Sequence, residues 1–362
     1  MNNTNQLAPT TNYKAIKKKA GKQHDPAWRK NGHTSFFMNR QPLHSCPEDV
    51  DVDDAQDLFD FMDICRIMLY NLRSIRNLIR VNPRNLLFVD NAFDFVSMTE
   101  IQSSRENLEK CIELWTKITK IYAYSVWHPC RCTTRNSGYS GTAVFFRRRP
   151  KLIEFGFLGD PASDVEGRVI TIHFNDCIVV TAYFPNAWKP TDGVDDVANE
   201  RQFSQALAKR REFEIQLKRH CLYCASLNKV IFNADINVAL HDYDIPNADN
   251  PHASLISETL SCPISRNAVY ELMRECKLNQ TLPRPRTSFT WHPESTRRNQ
   301  KLGVGATIDV TLAHESFTVI ASQVLSDCLG SDHRPVITTL SKSKTANPLA
   351  LHNHIQGILL TL

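Results

Sequence analysis

Between about residue 61 and Leu340 the chain is a succession of short apolar segments, several of them rich in β-branched residues. Segments of this length, bounded by turn residues, are typical of β-strands. Apolar residues that recur every three to four positions predict helices at Ser74–Val81, Asn107–Tyr122, Glu200–Ala225 and Ser265–Cys276. The predicted strands are Cys65–Leu72, Phe93–Met98, Gly141–Phe146, Val169–Phe174, Cys177–Tyr183, Lys229–Phe232, Phe289–Trp291, Ala306–Ala313, Phe317–Leu325 and Val336–Leu340.

The predicted strands outnumber the helices, and many of them follow one another closely. This pattern favours an α/β fold with a two-sheet core and outer helices over an array of parallel βαβ units. We expect three regions: a basic disordered tail with an acidic linker over residues 1–60, a folded domain over 61–342, and a C-terminal tail over 343–362.

The positive charge of the chain is concentrated near its N-terminus. The net charge is +5, but residues 1–42 alone carry six Lys and two Arg against one acid, Asp25, a net +7. The remaining residues therefore carry −2. Such a segment could be a nuclear import signal, an arm that contacts DNA, or a solubilising tail. We expect a nuclear protein, with a cytoplasmic location as the alternative.

Two kinds of targeting segment are not visible in the sequence. No apolar run approaches the roughly 20 residues that span a bilayer. The N-terminus has no apolar core of a signal peptide, so we expect neither secretion nor a membrane partner. The eleven scattered cysteines favour free thiols in a reducing compartment over a zinc site, although Cys221 and Cys224 form a C-x-x-C pair and Cys130 and Cys132 a C-x-C pair.

Polar residues stand at the ends of several predicted strands, where α/β proteins commonly place their sites. Asp309 is flanked by apolar residues, and a carboxylate there needs a partner. His333 is a suitable partner, because a carboxylate fixes the tautomer of a histidine and raises its basicity. Each residue alone could be a turn amide or a solvated acid; their joint occurrence favours a site. The set is Asn71, Glu100, Tyr183, Asn186, Asp235, Asn237, Asp309, Asp332 and His333.

With these residues in order, the chain resembles the endonuclease/exonuclease/phosphatase superfamily, and within it the exonuclease III-like abasic-site endonucleases. The segments Gly138–Gly141 (Gly-Tyr-Ser-Gly), Asp164–Arg168 (Asp-x-Glu-Gly-Arg) and Asp235–Ala239 (Asp-x-Asn-Val-Ala) distinguish this class from the inositol phosphatases and sphingomyelinases of the superfamily. The matching segments run from Tyr70-Asn71-Leu72-Arg73-Ser74 through Asp94-Phe95-Val96 with Glu100, Gly138-Tyr139-Ser140-Gly141, Asp164-Val165-Glu166-Gly167-Arg168, Tyr183-Phe184-Pro185-Asn186, Asp235-Ile236-Asn237-Val238-Ala239, Phe289-Thr290-Trp291 and Ile308-Asp309 to Gly330-Ser331-Asp332-His333.

The resemblance implies a four-layer α/β sandwich of the deoxyribonuclease type: two packed β-sheets flanked by helices. It also implies a divalent cation, Mg²⁺ with Mn²⁺ as a substitute, held by Glu100 with Asp332 close by. Asn71, Asp235 and Asn237 complete the metal surroundings.

The resemblance implies roles for the other site residues as well. Asp235 orients or deprotonates the attacking water, and Asn237 holds that water. His333, paired with Asp309, contacts a phosphate oxygen as charge develops. Tyr183 and Asn186 complete the phosphate surroundings.

This sequence departs from the family pattern at the metal and at the DNA. Arg73 stands where an Asp is usual, which places a cation near the metal or against a phosphate of the DNA substrate. Lys189 replaces a common Arg and keeps the charge without the fork. Trp291 and Ile308 match two walls of the family's abasic-sugar pocket, but Ala306 stands where a Trp is usual.

The implied function is a Mg²⁺-dependent DNA phosphodiesterase that acts as a monomer and nicks duplex DNA 5′ to abasic sites in base excision repair. The target-nicking endonuclease of a non-LTR retrotransposon is one alternative, because Asn71-Leu72-Arg73-Ser74 has that character. A relative that binds DNA but is catalytically weakened through Arg73 is another. A phosphatase acting on inositol phosphates is a further option.

Overall fold

The computed structural model describes residues 63–77, 93–103, 108–112, 122, 124–132, 138–186, 196–245, 260–283, 288–292, 305–325 and 330–342. The predicted terminal segments 1–60 and 343–362 lie outside these residues, so the proposed domain boundaries stay predictions. So does Lys189. The predicted helices Ser74–Val81 and Asn107–Tyr122 are described only in part, and both parts, 75–77 and 108–112, are helical.

The first β-sheet has six strands: β1 (Ile64–Asn71), β2 (Phe95–Thr99), β3 (Tyr124–His128), β4 (Thr142–Phe146), β11 (Thr318–Val324) and β12 (Val336–Ser341). Their order across the sheet is β11-β12-β1-β2-β4-β3. The two central strands, β1 and β2, are parallel, whereas the other pairs are antiparallel. The carboxyl ends of β1 and β2 therefore meet at one edge.

The second sheet also has six strands: β5 (Leu152–Phe155), β6 (Val169–His173), β7 (Cys177–Tyr183), β8 (Lys229–Asp235), β9 (Leu278–Gln280) and β10 (Asp309–His314). Their order across the sheet is β5-β6-β7-β8-β10-β9, and β7 and β8 are the parallel central pair. Two described α-helices, α1 (Asp196–Leu227) and α2 (Pro263–Glu275), belong to this half.

The apolar residues of the second sheet and its helices form one buried cluster. Phe213, Leu217 and Cys221 of α1 pack in it against alternate residues of the strands, such as Val180 and Phe232. The opposite faces of the same strands contact the first sheet, as the hydrogen bond from Asn233 Nδ2 to Ser97 Oγ shows. This is the predicted four-layer α/β sandwich, and the prediction is confirmed.

Individual elements differ from the sequence predictions. Phe289–Trp291 is no strand: Trp291 makes only isolated bridges, to Ala306 and His333. The sequence does not predict the partly buried β5 or the three-residue β9. It also does not predict β3, which is buried at four of its five residues and begins just after the predicted helix Asn107–Tyr122. The described helices include none that is long and apolar enough to cross a membrane. All nine cysteines in the described part of the chain are free thiols.

Candidate active site at one edge of the sandwich

Three polar residues lie side by side across the second sheet. Tyr183, the last residue of β7, is in register with Asp235, the last residue of β8. Asp235 is also in register with Asp309, the first residue of β10. Register neighbours direct their side chains to the same face of a sheet. The sheet therefore assembles a row of one phenol and two carboxyl groups from three distant parts of the chain.

The first sheet supplies the facing residues. Asn71 ends β1 in register with Thr99 of β2, and Glu100 follows directly. Asn71 Nδ2 donates a hydrogen bond to Asp235 Oδ2 over 2.7 Å. The Tyr183 hydroxyl donates to the Glu100 carboxylate. Two side-chain contacts thus join the sheets at this edge, and the structure brings Asn71, Glu100, Tyr183 and Asp235 into one cluster.

His333 and Asp309 form a buried pair, as their sequence surroundings predicted. His333 Nδ1 lies 2.8 Å from Asp309 Oδ2, and because a carboxylate only accepts, the imidazole donates. Burial alone would lower the pKa of His333, but Asp309 raises it, with help from Asp235 and Asp332, to about 10. The imidazole is therefore a cation at neutral pH, and it can stabilise negative charge on a phosphate oxygen.

The backbone around this pair is held by two hydroxyl groups. Thr290 Oγ1 accepts the N–H groups of Ile308 and Asp309, at 3.0 and 3.1 Å. Ser331 Oγ accepts the N–H of His333 over 3.1 Å and donates to the carbonyl of Asn71 over 2.7 Å. Neither hydroxyl was assigned a role from the sequence, although both stand in the matching segments.

Asp235 is in an environment that keeps its proton near neutral pH. Burial raises the pKa of its carboxyl to about 7, and the nearby charge of Asp309 acts in the same direction. Asn237 N–H donates to Asp235 Oδ1 over 3.0 Å, and Asn71 occupies the other oxygen. A fixed carboxyl group that exchanges its proton near pH 7 suits general acid–base chemistry. The side-chain amide of Asn237 itself donates to the carbonyl of Phe184.

The residues present fit a hard divalent cation at Glu100 and Asp332. Asp332 Oδ1 is buried and has no hydrogen-bond partner among the described residues. Burial raises the pKa of the Glu100 carboxyl, the charge of His333 opposes this, and the charge of Asp332 raises the pKa further. Glu100 and Asp332, the acid pair, therefore interact electrostatically. Carboxylate oxygens are the ligands that Mg²⁺ prefers. A bound cation would polarise a phosphate and stabilise a leaving oxygen.

A second set of potential ligands is less suited to Mg²⁺. One ligand atom each from Asp235, Asp309 and His333 lies within 4.8 Å of the others, so these buried residues could hold a metal ion. However, His333 Nδ1 is already bonded to Asp309, and Asn71 bonds to Asp235. A hard cation also prefers oxygen to imidazole nitrogen.

Arg73 lies next to the acid pair. Its Nη1 is 4.0 Å from Asp332 Oδ2, and its side chain is 38% exposed. Its backbone adopts a left-handed conformation with φ of 55°, and its N–H donates to Asn71 Oδ1 over 2.9 Å. The guanidinium therefore competes with any cation that approaches Asp332.

The residues predicted to contact substrate are distributed around this edge. Asn186 is exposed just beyond β7. Trp291 packs against a small apolar cluster that contains Ile308 and Ala306, and it bridges to His333. The two predicted pocket walls are thus neighbours, beside the catalytic histidine candidate. Lys189 cannot be placed, because it lies outside the described residues.

Arg168 is a member of the site that was not predicted. Its buried guanidinium donates to Glu166 over 2.7 Å, to the carbonyl of Tyr183 over 3.0 Å and to the hydroxyl of Tyr139 over 2.8 Å. It also lies 4.6 Å from the centre of the Tyr183 ring. The Asp-x-Glu-Gly-Arg segment, residues 164–168, was the sequence signal that could have identified Arg168. It places an arginine close to two acids, and such an arginine, once buried, needs fixed hydrogen-bond partners.

Comparisons with known proteins agree with this geometry. The model of the endonuclease/exonuclease/phosphatase family matches residues 68–333. An exodeoxyribonuclease of Bacillus subtilis is 27% identical over 206 residues, which cover 55% of this chain and 73% of the relative. The DNA repair nuclease APEX1 of Danio rerio is 23% identical over 211 residues, which cover 56% of this chain but only 61% of that protein.

A solved structure of an AP endonuclease from Archaeoglobus fulgidus shares the fold. It superposes with a TM-score of 0.57 at 17% identity and covers 76% of this chain and 98% of that one. The family match spans nearly all of the described residues, including the carboxyl ends of both central strand pairs and the row of polar residues found there. The chain belongs to the endonuclease/exonuclease/phosphatase family.

Proposed function

We propose that this chain is a divalent-metal-dependent DNA phosphodiesterase that nicks duplex DNA 5′ to abasic sites in base excision repair. The observation that carries the proposal is the hydrogen-bonded cluster at one edge of the sandwich. In it, Asn71 orients Asp235, and Asp309 holds a cationic His333. An acid pair, Glu100 and Asp332, lies beside them.

Each residue of the site has a separate role in phosphodiester hydrolysis. Asp235 takes a proton from the attacking water, since its pKa of about 7 suits a general base. His333 donates to a non-bridging phosphate oxygen as negative charge develops. Glu100 and Asp332 would hold Mg²⁺ or Mn²⁺. Tyr183, bonded to Glu100, and Asn186, exposed at the rim, complete the contacts to phosphate.

The proposed substrate follows from the family relatives and the apolar wall beside His333. The zebrafish relative is named a DNA repair nuclease, and the archaeal structure an AP endonuclease. Trp291 and Ile308 offer an apolar surface at which a deoxyribose without its base could be recognised. A nuclear location, an N-terminal arm on DNA and a monomeric state belong to the same proposal.

One assay tests chemistry and substrate together. Purified protein with Mg²⁺ is given a duplex with one abasic analogue and a matched undamaged duplex. We expect rapid cleavage of the first only. Asp235→Asn should lower the rate about 10²–10⁴-fold, and His333→Ala about 10²–10³-fold. If either variant keeps more than about a tenth of the wild-type rate, its assigned role is wrong.

A second candidate is an endonuclease that nicks undamaged target DNA. Two departures favour it: Arg73 pairs with Asp332, and Ala306 is fully buried against the apolar cluster of Trp291. A smaller residue there changes the surface that an abasic sugar would meet. Equal cleavage of the two duplexes above would support this candidate, whereas no cleavage of either would leave a DNA-binding relative.

A further inference from the structure

A fully buried arginine on α1 bonds to two of the loops that carry the candidate catalytic residues. The Arg210 side chain has no exposed surface. Its Nη1 donates to the carbonyl of Pro185 and to that of Asn237, both at 3.1 Å. Its Nη2 donates to the carbonyl of Ile236 over 2.7 Å. All three carbonyls lie just beyond the ends of β7 and β8.

The remaining contacts hold the guanidinium itself in place. Arg210 Nε donates to Glu214 Oε1, one turn further along α1, over 2.7 Å. The guanidinium also lies 5.4 Å from the centre of the Phe184 ring. Four donor contacts and one ring contact leave it little freedom to rotate. The helix is thus connected through a single side chain to the loop after Tyr183 and to the loop after Asp235.

These loops determine where the catalytic groups stand. Asn237 has a left-handed backbone with φ of 47°, a conformation that asparagine adopts more readily than most residues. Its N–H donates to Asp235 Oδ1, and its side chain donates to the carbonyl of Phe184. The bond from Arg210 to the carbonyl of Ile236 fixes the peptide that presents this N–H, and the bond to the carbonyl of Asn237 fixes the peptide that follows. A shift of that peptide would therefore move the Asp235 carboxylate.

The pair of Arg210 and Glu214 is a poor explanation of stability by itself. Removing two charges from water is costly, and replacing a buried ion pair with apolar residues of similar volume is often neutral or stabilising. We infer that Arg210 is a positioning residue, which holds the loops after β7 and β8 so that Asp235 and Asn237 are aligned for phosphodiester hydrolysis. The expected loss of cleavage rate rests on the proposed function, whereas the expected displacement of the two loops does not.

The decisive variant replaces the ion pair while keeping the packing. The double variant Arg210→Met with Glu214→Leu removes both charges without opening a large cavity, but it leaves the carbonyls of Pro185, Ile236 and Asn237 without their donor. It should therefore fold but be less stable than the wild type. It should also lose about 10- to 100-fold in kcat on the abasic duplex, since displaced catalytic groups lose rate on this scale. KM and the affinity for duplex in EDTA should be unchanged, because Arg210 has no exposed atom that could contact DNA.

Leu217→Ala provides the matched control. Leu217 is buried on the same helix, two turns away, and contributes to the apolar cluster. Its truncation should destabilise the protein to an extent comparable with the double variant, yet leave kcat unchanged at a temperature where both are folded. If kcat followed stability across the two variants, Arg210 would be a structural residue only, and the inference would be overturned.

A second readout is independent of catalysis. In the wild type, Phe184 N–H donates to the carbonyl of Asp235, and Ile236 N–H to that of Ile308. Hydrogen exchange at these two amides should accelerate at least about tenfold in the double variant, while amides within β7 stay protected. Unchanged exchange would overturn the inference even if kcat fell. A wild type that cleaves neither duplex would contradict the proposed function alone, since exchange still tests the role of Arg210.

Discussion

The side-chain amide of Asn71, at the end of β1, donates a 2.7 Å hydrogen bond to Asp235, at the end of β8, and so joins the two sheets at the candidate active site. The same side chain accepts the N–H of Arg73. Asn71 thus connects the proposed general base to the loop that lies against Asp332. Its position explains how residues 164 apart in sequence act as one unit.

We predict that Asn71→Ala lowers single-turnover cleavage of an abasic duplex about 10- to 100-fold, because the Asp235 carboxylate loses the donor that orients it. Ser97→Ala is the control. It removes two other contacts between the sheets, the bonds of Ser97 Oγ with Asn233 Nδ2 and with Thr181 Oγ1. That variant should cost about 1–3 kcal/mol of stability and leave the rate unchanged. Equal rates for Asn71→Ala and wild type would show that Asp235 is oriented by other contacts.

Arg73→Asp should lower the half-saturating concentration of Mg²⁺ about 10- to 100-fold, the usual scale for changes beside metal ligands. The guanidinium 4.0 Å from Asp332 repels a cation, and a carboxylate would attract it. Titration of cleavage with Mg²⁺ measures the effect. Arg76→Asp makes the same change of charge at an exposed neighbouring position and should have little effect. If both variants respond equally, only the long-range field of the protein has changed.

Acid should destabilise the metal-free protein through His220. Leu158 N–H donates to its Nδ1 over 2.9 Å, so Nε2 carries the hydrogen and donates to Thr171. Burial lowers the pKa of His220 from 6.5 to about 4, against a smaller raising effect of Glu154. A histidine with a lowered pKa stabilises the fold above pH 6.5 and loses that contribution as pH falls toward 4.

Between pH 7.5 and pH 5 this loss amounts to about 2 kcal/mol in the free energy of unfolding. Urea denaturation in EDTA at the two pH values measures it. His220→Leu should be less stable at pH 7.5, because it loses two hydrogen bonds, but its stability should change less with pH. Parallel pH profiles for the two proteins would assign the acid sensitivity to other groups.

Deletion of residues 1–42 should weaken DNA binding and flatten its dependence on salt without abolishing cleavage. This segment carries a net charge of +7, whereas the rest of the chain carries −2. Each lost phosphate contact lowers the slope of log K against log salt by about 0.9. Binding isotherms at several salt concentrations give the slope. Identical slopes with and without the segment would leave nuclear import or solubility as its role.

Much of the fold could be predicted because strand formation leaves a local signal. The β-branched run Cys177–Tyr183 is a strand with those same bounds, and Glu200–Ala225 lies within the helix Asp196–Leu227. Two of the missed strands have a common cause: the three-residue β9 and the partly buried β5 are strands through pairing with distant partners rather than through their own composition. Trp291 likewise bridges to residues far along the chain instead of extending a strand.

The sequence by itself determined which residues could carry the chemistry, since a carboxylate in an apolar strand, such as Asp309, requires a partner wherever it lies. Only the tertiary structure decided the partners. The register of β7, β8 and β10 aligned Tyr183, Asp235 and Asp309, and the packing of two sheets brought Asn71 to Asp235. Nothing in the local sequence shows that the Arg210 guanidinium is buried against three backbone carbonyls. Strand register, sheet packing and burial all depend on contacts between distant residues, and no local pattern of side chains encodes them.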